Sequence, residues 1–466
     1  MPRGRVQRIQ DSVHGLMEFH GVEGVIVELL RTPELTRLRR VKQLGLSHYV
    51  FPGAEHSRFA HCLGASYLAI RFTRKLNEVA QEIFAPSLCP DEMATRDMAV
   101  AALCHDLGHG PFSHAWEREI IGESFDRNAW ITKLGLQNGE WYSGLKWHEI
   151  VGHGLLAWPE GKLYRLLEQH EEGSAGRIRN LLLGRYHVPH LPRLLAGDID
   201  VDRADFIRRD SLMTGVGSDP YDLEWLISTC TIGELKHSTS KEWVVGFSHK
   251  AVRVLEQFLI ARRALYERVY WHKTIRCAEG MMALFLRRLK SVVLDGTKIL
   301  DERFFRPLID VINGKPLEQV DLIRLDDSVI QLVVESVAAS DIKDYTVRDL
   351  ARRIAERNLF KIVPVEPDAL ENFRNDPHWN EKLCSVIQPY VLGEAEYYFV
   401  MDYRPFNMMS KVEGELVYLI GPDRQAIAVN NNSSFSSYRD YQVKVQSVFT
   451  VLEAVDAVKH LIEARK

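Results

Sequence analysis

The sequence predicts a mostly α-helical protein: a helical core over residues 1–365, then a smaller α+β lobe over 366–466. Three observations carry that reading. Apolar residues recur at spacings of three and four through most of the first 365 positions, the signature of helices with one buried face. The stretch PVEPDALENF (364–373) marks a change of character. Beyond it, EYYFVMDY (396–403) and GELVYLI (414–420) are short β-branched and aromatic runs that read as strands.

In chain order, VEGVIVELL (22–30), LTRLRRVKQL (35–44) and LGASYLAIRFTRKLNEVA (63–80) are predicted helical, as are residues 250–290 and 328–358. Between 120 and 147 the chain loosens into mixed polar and aromatic residues broken by glycines. It is predicted as a loop-rich insertion over a site rather than core. NNNSSFSS (430–437) reads as an exposed loop, and 450–464 as a closing helix. No internal repeat is evident.

A length of 466 residues fits two domains, or one core with an appendage. The composition, 46% hydrophobic and 26% charged, is that of an ordinary globular protein. A formal charge of -4 gives no bulk electrostatic case for binding nucleic acid or membranes, so any phosphate site must be local. No apolar run approaches the ~20 residues of a membrane span, and the basic N-terminus has no apolar stretch behind it. The cysteines at 62, 89, 104, 230, 277 and 384 form no CxxC pair, against a zinc ribbon or disulfide framework. A reduced, cytoplasmic setting is the expectation.

The chemistry concentrates in three segments: HSRFAHCLG (56–64), CHDLGHG (104–110) and DIDVDRADFIRRD (198–210). His61, His105, Asp106 and Asp202 together offer two imidazoles and two carboxylates, a donor set suited to one Fe, Mn, Zn or Mg ion. Neighbouring His105 and Asp106 would diverge by about 100° inside a helix. At a helix end beside Gly108 the backbone can turn both inward. Arg58 precedes His61 by three residues, one helical turn, and so points toward whatever the metal holds. His109 follows His105 by four, a shared face only if the helix continues.

The order H…HD…D, with GHGPFSH after the HD pair, resembles the HD phosphohydrolase superfamily. TPELTRLRRVKQLGLSHYVFPGAEHSRFAHCLGASYLA, DIDVDRADFIRRD, RRALYERVYWHK and ERNLFKIV extend the resemblance to its deoxynucleoside triphosphate triphosphohydrolase branch, across roughly residues 5–365. The resemblance implies a helical HD-domain core that binds one divalent metal through the four residues above. It implies hydrolysis of a dNTP to deoxynucleoside and intact triphosphate. On the matching positions, His109, His114 and His148, the last paired with Glu117, are implied as phosphate-contacting or acid–base groups. Arg58, Arg203 and Arg262 are implied as triphosphate contacts, Gln43, Asp210 and Tyr270 as the sugar site, and Leu44 as a further substrate contact. A tyrosine ring beside C2′ would exclude a ribose hydroxyl.

The chain departs from the branch's pattern at Arg203, Phe206 and Trp271, where relatives carry lysine, tyrosine and glutamine beside the substrate. At a regulatory nucleotide site, Arg39 and Arg357 persist, but Arg31 stands where a carboxylate reads guanine. Arginine only donates hydrogen bonds, so GTP is not expected to activate the protein; another nucleotide remains open. A homo-oligomer, dimer or tetramer, is expected. Two alternatives stay beside this reading: an HD phosphohydrolase acting on a nucleoside monophosphate or other phosphorylated metabolite, and a nucleic-acid-binding or regulatory HD module. A basic, aromatic-studded stripe would mark the second alternative. The arginines of 253–273 are already accounted for by the phosphate site.

Overall fold

A computed structural model describes residues 6–122, 125–217, 220–236, 241–407, 416–429, 435 and 442–464. Its centre is a set of helices packed around α1 (Arg58–Glu82). Helix α2 (Glu92–Cys104) lies along one flank of α1, and α4 (Val201–Thr214) crosses another. Between them in sequence comes α3 (Trp147–Leu156). Helices α5 (Val252–Leu265) and α6 (Lys273–Leu294) follow, then α7 (Asp327–Ala338) and α8 (Tyr345–Ala355). Aspartates start several of these helices. Asp91 accepts from the Ala94 amide, Asp200 from Arg203 and Asp344 from Val347, each satisfying a backbone donor the first turn leaves open. Gly215, at φ 72°, closes α4 in the left-handed conformation.

The close crossing of α1 and α4 depends on Gly64. A Cβ there would lie 1.9 Å from Asp205 Oδ1 and 2.5 Å from Arg209 Nη2. Only glycine lets the two helices approach enough to bury those side chains between them.

Three sheets complete the fold. Strands β1 (Gln7–Asp11) and β2 (Gly15–Phe19) form an antiparallel hairpin. Strands β3 (Cys230–Lys236) and β4 (Lys241–Ser248) pair antiparallel; β4 then pairs parallel with β7 (Tyr418–Ile420), which carries β8 (Ala426–Ala428). The third sheet runs β5 (Lys361–Ile362), β9 (Gln442–Thr450), β6 (Phe399–Asn407), with Phe399 opposite Thr450. The chain is thus predominantly helical, with a smaller strand-containing C-terminal region. Strands from both sides of residue 365 share the second and third sheets. A division near 365 stands as our proposal for the chain's organisation.

Local readings differ from the structure in four places. The helix predicted over 35–44 is only Pro33–Thr36 and a 3-10 turn, Arg37–Arg40; Val41 is extended and Lys42 bridges to Ser57. The Lys42 amide goes to the Asp327 carboxylate instead of a helical carbonyl. The insertion at 120–147 contains a helix, Arg127–Lys133, and its Trp130, Leu134 and Tyr142 are buried in the main core, not draped over a site. Aromatic area of that size is stabilising only when withdrawn from water. The β3–β4 hairpin lies in a stretch where helices were expected. The 250–290 helix is interrupted by a π-helical turn, Tyr266–Tyr270. The NNNSSFSS run lies outside the described residues except Phe435, which is buried. Among the described residues no helix is long and apolar enough to cross a membrane.

The C-terminal lobe docks on α6. Arg276 donates to both oxygens of Asp402, at 3.1 and 2.7 Å, and Gly280 leaves room for Val400. Both members of the ion pair are buried. Arg276→Ala leaves the Asp402 carboxylate buried without its guanidinium, so it should cost about 3–5 kcal/mol. Urea unfolding measures this directly; a loss under about 1 kcal/mol would show that the pair does not hold the lobe.

Candidate metal centre and active site

Helix α2 ends at Cys104, and the next four residues turn back on themselves. His105 Nδ1 lies 2.7 Å from the Ala102 carbonyl, which fixes that nitrogen as the donor and turns Nε2 outward. On α1, His61 is fully buried, and its Nδ1 lies 2.8 Å from Asp205 Oδ2. The two outward Nε2 atoms meet 3.3 Å apart. Asp202 Oδ1, from the first turn of α4, lies 2.9 Å from His61 Nε2 and 3.5 Å from His105 Nε2. Asp106 Oδ1 is 3.5 Å from His105 Nε2. The three segments that the sequence left apart converge.

This arrangement fits one divalent cation. With both Nδ1 atoms donating to acceptors, two neutral imidazoles would face each other with lone pairs only. Two nitrogens each about 2.1 Å from one ion sit about 3 Å apart, close to the separation observed. The carboxylates point the same way electrostatically. Burial alone would lower the His61 imidazole, but Asp202 and Asp205 outweigh it and push it up to about 10. At His105 burial is likewise outweighed, by Asp106 and Asp202, which push it up to about 8. Asp202 and Asp106 are held below the usual carboxylate range, against burial, by the facing histidines and Arg58 respectively. Protons on the imidazoles stand in for the charge a cation supplies. His61, His105 and Asp106 form one ligand-like cluster, with Asp202 beside it. The ion's identity is undetermined by this donor set.

A second cluster adjoins the first. His148, on α3, places Nδ1 2.6 Å from Glu117 Oε1, the pairing the resemblance implied. His109 stacks on His148 with ring centroids 4.0 Å apart, and its Nε2 is 3.3 Å from Asp106 Oδ1. His109 is not helical, since α2 has already ended; the turn, not an i+4 face, brings it in. Burial and then Arg58 push the His114 imidazole down to about 4, so it is neutral near pH 7. Glu117 opens a π-helical turn, Glu117–Ile121, an irregularity frequent at functional sites.

Of the substrate contacts the resemblance implied, Gln43, Leu44, Arg58, Tyr270 and Trp271 line one cavity of about 780 Å³ together with His114, whereas Arg203, Phe206, Asp210 and Arg262 are not part of its lining. Arg58 pairs with Asp106 and donates from Nη2 to Ser113 Oγ at 3.0 Å. Tyr270 donates to Asp210 Oδ2 at 2.6 Å, and His56 Nε2 holds the other Asp210 oxygen at 2.8 Å. Arg203 is engaged by Asp200 at 2.8 Å, and Arg262 by Asp198 at 3.4 Å. The Phe206 ring lies 6.5 Å from that of His61. Arg39 and Arg357 are both exposed: Arg39 stacks on Phe59, and Arg357 donates to the Tyr49 carbonyl.

Sequence reasoning missed Asp205, which orients His61, together with the His14 and Arg209 that hydrogen-bond to it at 2.7 and 2.9 Å. One signal was available: Asp205 follows Asp202 by three residues, on the same helical face. Gly108 has a role beyond ending the helix. A Cβ on it would meet His148 O at 1.9 Å and Gly152 N at 2.4 Å, so α3 packs backbone-to-backbone on the HD turn. Gly108→Ala should therefore cost about 2 kcal/mol or more, while Gly144→Ala, where nothing lies within 4 Å, should change stability by about 0.5 or less. Equal losses in urea unfolding would contradict the packing argument.

The HD domain family model matches residues 58–205, a span that opens at Arg58 and closes at Asp205. The uncharacterized protein YwfO of Bacillus subtilis is 27% identical over 372 residues, covering 79% of this chain and 75% of that protein. Bovine deoxynucleoside triphosphate triphosphohydrolase SAMHD1 is 27% identical over 413 residues, 83% of this chain and 64% of its own length. For human SAMHD1 the identity is 26% over 367 residues, 76% and 54%. This chain thus spans between half and two thirds of those SAMHD1 proteins. The crystal structure of a phosphohydrolase from Bacteroides thetaiotaomicron shares the fold: TM-score 0.71 at 24% identity, over 96% of this chain and 100% of that one. The residues gathered around His61 and His105 fall within the span that matches the HD domain, and in that span the chain is similar to HD-domain phosphohydrolases.

Proposed function

We propose that the protein is a deoxynucleoside triphosphate triphosphohydrolase, converting dNTP and water to deoxynucleoside and triphosphate. The observation that carries this reading is the sugar end of the cavity. Gln43 Oε1 is buried there with no hydrogen-bond partner, while the Tyr270 ring is locked to Asp210. A buried acceptor left unpaired calls for a donor from a ligand, and a deoxyribose 3′-hydroxyl supplies one. A tyrosine with no freedom to swing is a steric gate against a 2′-hydroxyl. The similarity to SAMHD1 proteins supports the same substrate class.

His61, His105, Asp106 and Asp202 would hold a divalent ion, which when bound would supply Lewis-acid activation of the phosphate and of the attacking water. Arg58, beside Asp106, places a fixed positive charge where the phosphates enter. Neutral His114 donates a hydrogen bond to phosphate without adding charge. The water oxygen bonds to the α-phosphorus as the bond to O5′ breaks, and the departing alkoxide needs a proton. In this reading His148, oriented by Glu117 and stacked on His109, delivers it. Arg203 and Arg262 add counter-charge around the β- and γ-phosphates, with Trp271 shaping the remaining wall.

One observation favours the second reading, hydrolysis of a nucleoside monophosphate. Arg203 and Arg262 are each engaged by an aspartate, so less positive charge faces a triphosphate. We further propose a cytoplasmic homo-oligomer with no activation by GTP, because exposed Arg31 offers guanine only donors.

Chromatography of products from all eight common ribo- and deoxyribonucleoside triphosphates, alongside the monophosphates, separates these readings. The proposal expects deoxynucleoside and intact triphosphate from dNTPs, and little turnover of ribonucleotides until Tyr270→Ala opens the gate. Equal turnover of ATP and dATP by the unaltered protein would contradict the gate, and turnover of monophosphates alone would establish the second reading.

A further inference from the structure

Two consecutive residues beside the active site adopt a conformation that side chains disfavour. Phe112 has φ 50° and Ser113 φ 47° with ψ -104°, both at positive φ, and neither is glycine. Such strain persists only where the surroundings over-determine it. Here the surroundings are the N-terminal end of α7, more than two hundred residues away in sequence.

Asp327 is the first residue of α7 and is buried. Its Oδ1 accepts from the Phe112 amide at 2.7 Å, and its Oδ2 from the Lys42 amide at 2.9 Å. The first bond pins the strained turn. Ser113, next in that turn, accepts from Arg58, and His114 follows. The second bond pins the residue immediately before Gln43 and Leu44. One carboxylate thus fastens two loops, seventy residues apart, that both contribute to the lining of the cavity.

The attachment is reinforced from the other side. Arg37, fully enclosed, donates to the carbonyls of Leu107, His109 and Leu325, at 2.6, 2.7 and 2.8 Å. It ties the HD turn to the residues just before α7. Asp326 is itself held by Arg40 at 2.6 Å and caps α7 through the Ser328 amide. Burial pushes the Asp327 carboxyl up to about 6, opposed by the two amides and Arg58, so near pH 7.5 it is largely ionised and a strong acceptor.

We propose that Asp327 is a positioning residue for the reaction: it sets the Phe112–Ser113 turn and the Lys42–Leu44 loop in register, and through them Arg58, His114 and Gln43. The kinetic half of this proposal rests on the reading of the cavity as a dNTP site. The structural half does not.

The test uses the full chain as Asp327→Asn, Asp327→Ala and, as a stability control in the same helix, Val334→Ala. Hydrogen exchange by mass spectrometry reads the segments 42–47 and 110–116. Asp327→Ala should speed exchange about tenfold or more in both segments together, with bound metal unchanged. Asp327→Asn, which keeps one acceptor oxygen at similar size, should give a smaller effect and guards against a misfolded alanine variant. With a dNTP, kcat/KM should fall about thirtyfold or more for Asp327→Ala, and less for Asp327→Asn. Val334→Ala, matched for stability loss, should stay within about threefold of the unaltered protein. Retained protection in either segment, or an equal kinetic loss in Val334→Ala, would overturn the proposal. If the unaltered protein hydrolyses no dNTP, the substrate reading has failed and the exchange arm alone decides the positioning claim.

Discussion

The candidate centre depends on one buried carboxylate. Asp205 has no solvent exposure and lies where α1 and α4 cross. It faces His61 Nδ1 at 2.8 Å, His14 Nε2 at 2.7 Å, and Arg209 through Nε and Nη2, each at 2.9 Å. Stripped of those partners, a carboxylate this deep would be too costly to keep ionised. With them it does two things. It fixes the His61 tautomer and ring direction, so Nε2 faces His105, the usual way an outer carboxylate tunes a ligating histidine. It also pins α4 to α1, which carries Asp202 to the same point. Gly64 makes the approach possible, and Asp11, 3.0 Å from Arg209 Nη1, holds that guanidinium in place from the N-terminal hairpin.

What could be read from the sequence follows from how far apart the interacting residues lie. The HD pair was legible because its logic is local: an apolar helix, a stop, two glycines and ligand-type side chains within a dozen residues. Asp202 was legible as part of an acidic run at a helix start, and Glu117–His148 came only through resemblance. Nothing local announces His14, Arg209 or Asp327. Each acts across a long loop, and a lone histidine or aspartate has the same appearance in a solvated position. The failures at 35–44 and 120–147 share a cause. In both, tertiary partners outbid the local pattern: the Asp327 carboxylate claims the Lys42 amide, and the core claims Trp130 and Tyr142. The β3–β4 hairpin was missed because EWVVGFS sits between two long helical patterns and its second sheet partner, β7, lies far downstream.

Two π-helical turns show how the fold trades regularity for aim. Each inserts one extra residue per turn, closing with an amide bonded five residues back: Gly122 to Glu117, and Trp271 to Tyr266. The first begins at Glu117, the partner of His148. The second ends at Tyr270, whose hydroxyl reaches Asp210. A regular helix would rotate Tyr270 by about 100° for each residue of offset and turn it from the cavity it lines. The C-terminal region adds a further wall, since Trp379, Met401 and Tyr403 line the same cavity as Arg58 and Tyr270. Its docking through Arg276 and Asp402 is therefore part of the architecture of the site.

The central claim is that a single metal, held by His61, His105, Asp106 and Asp202, underlies the chemistry. Elemental analysis of the purified protein and of Asp106→Ala, each paired with a turnover measurement, tests it most directly. The account predicts about one divalent ion per chain in the unaltered protein. In Asp106→Ala it predicts loss of that ion and a fall in turnover of ~10³ or more, equivalent to ~4 kcal/mol of barrier. Full metal occupancy with normal turnover in Asp106→Ala would contradict it.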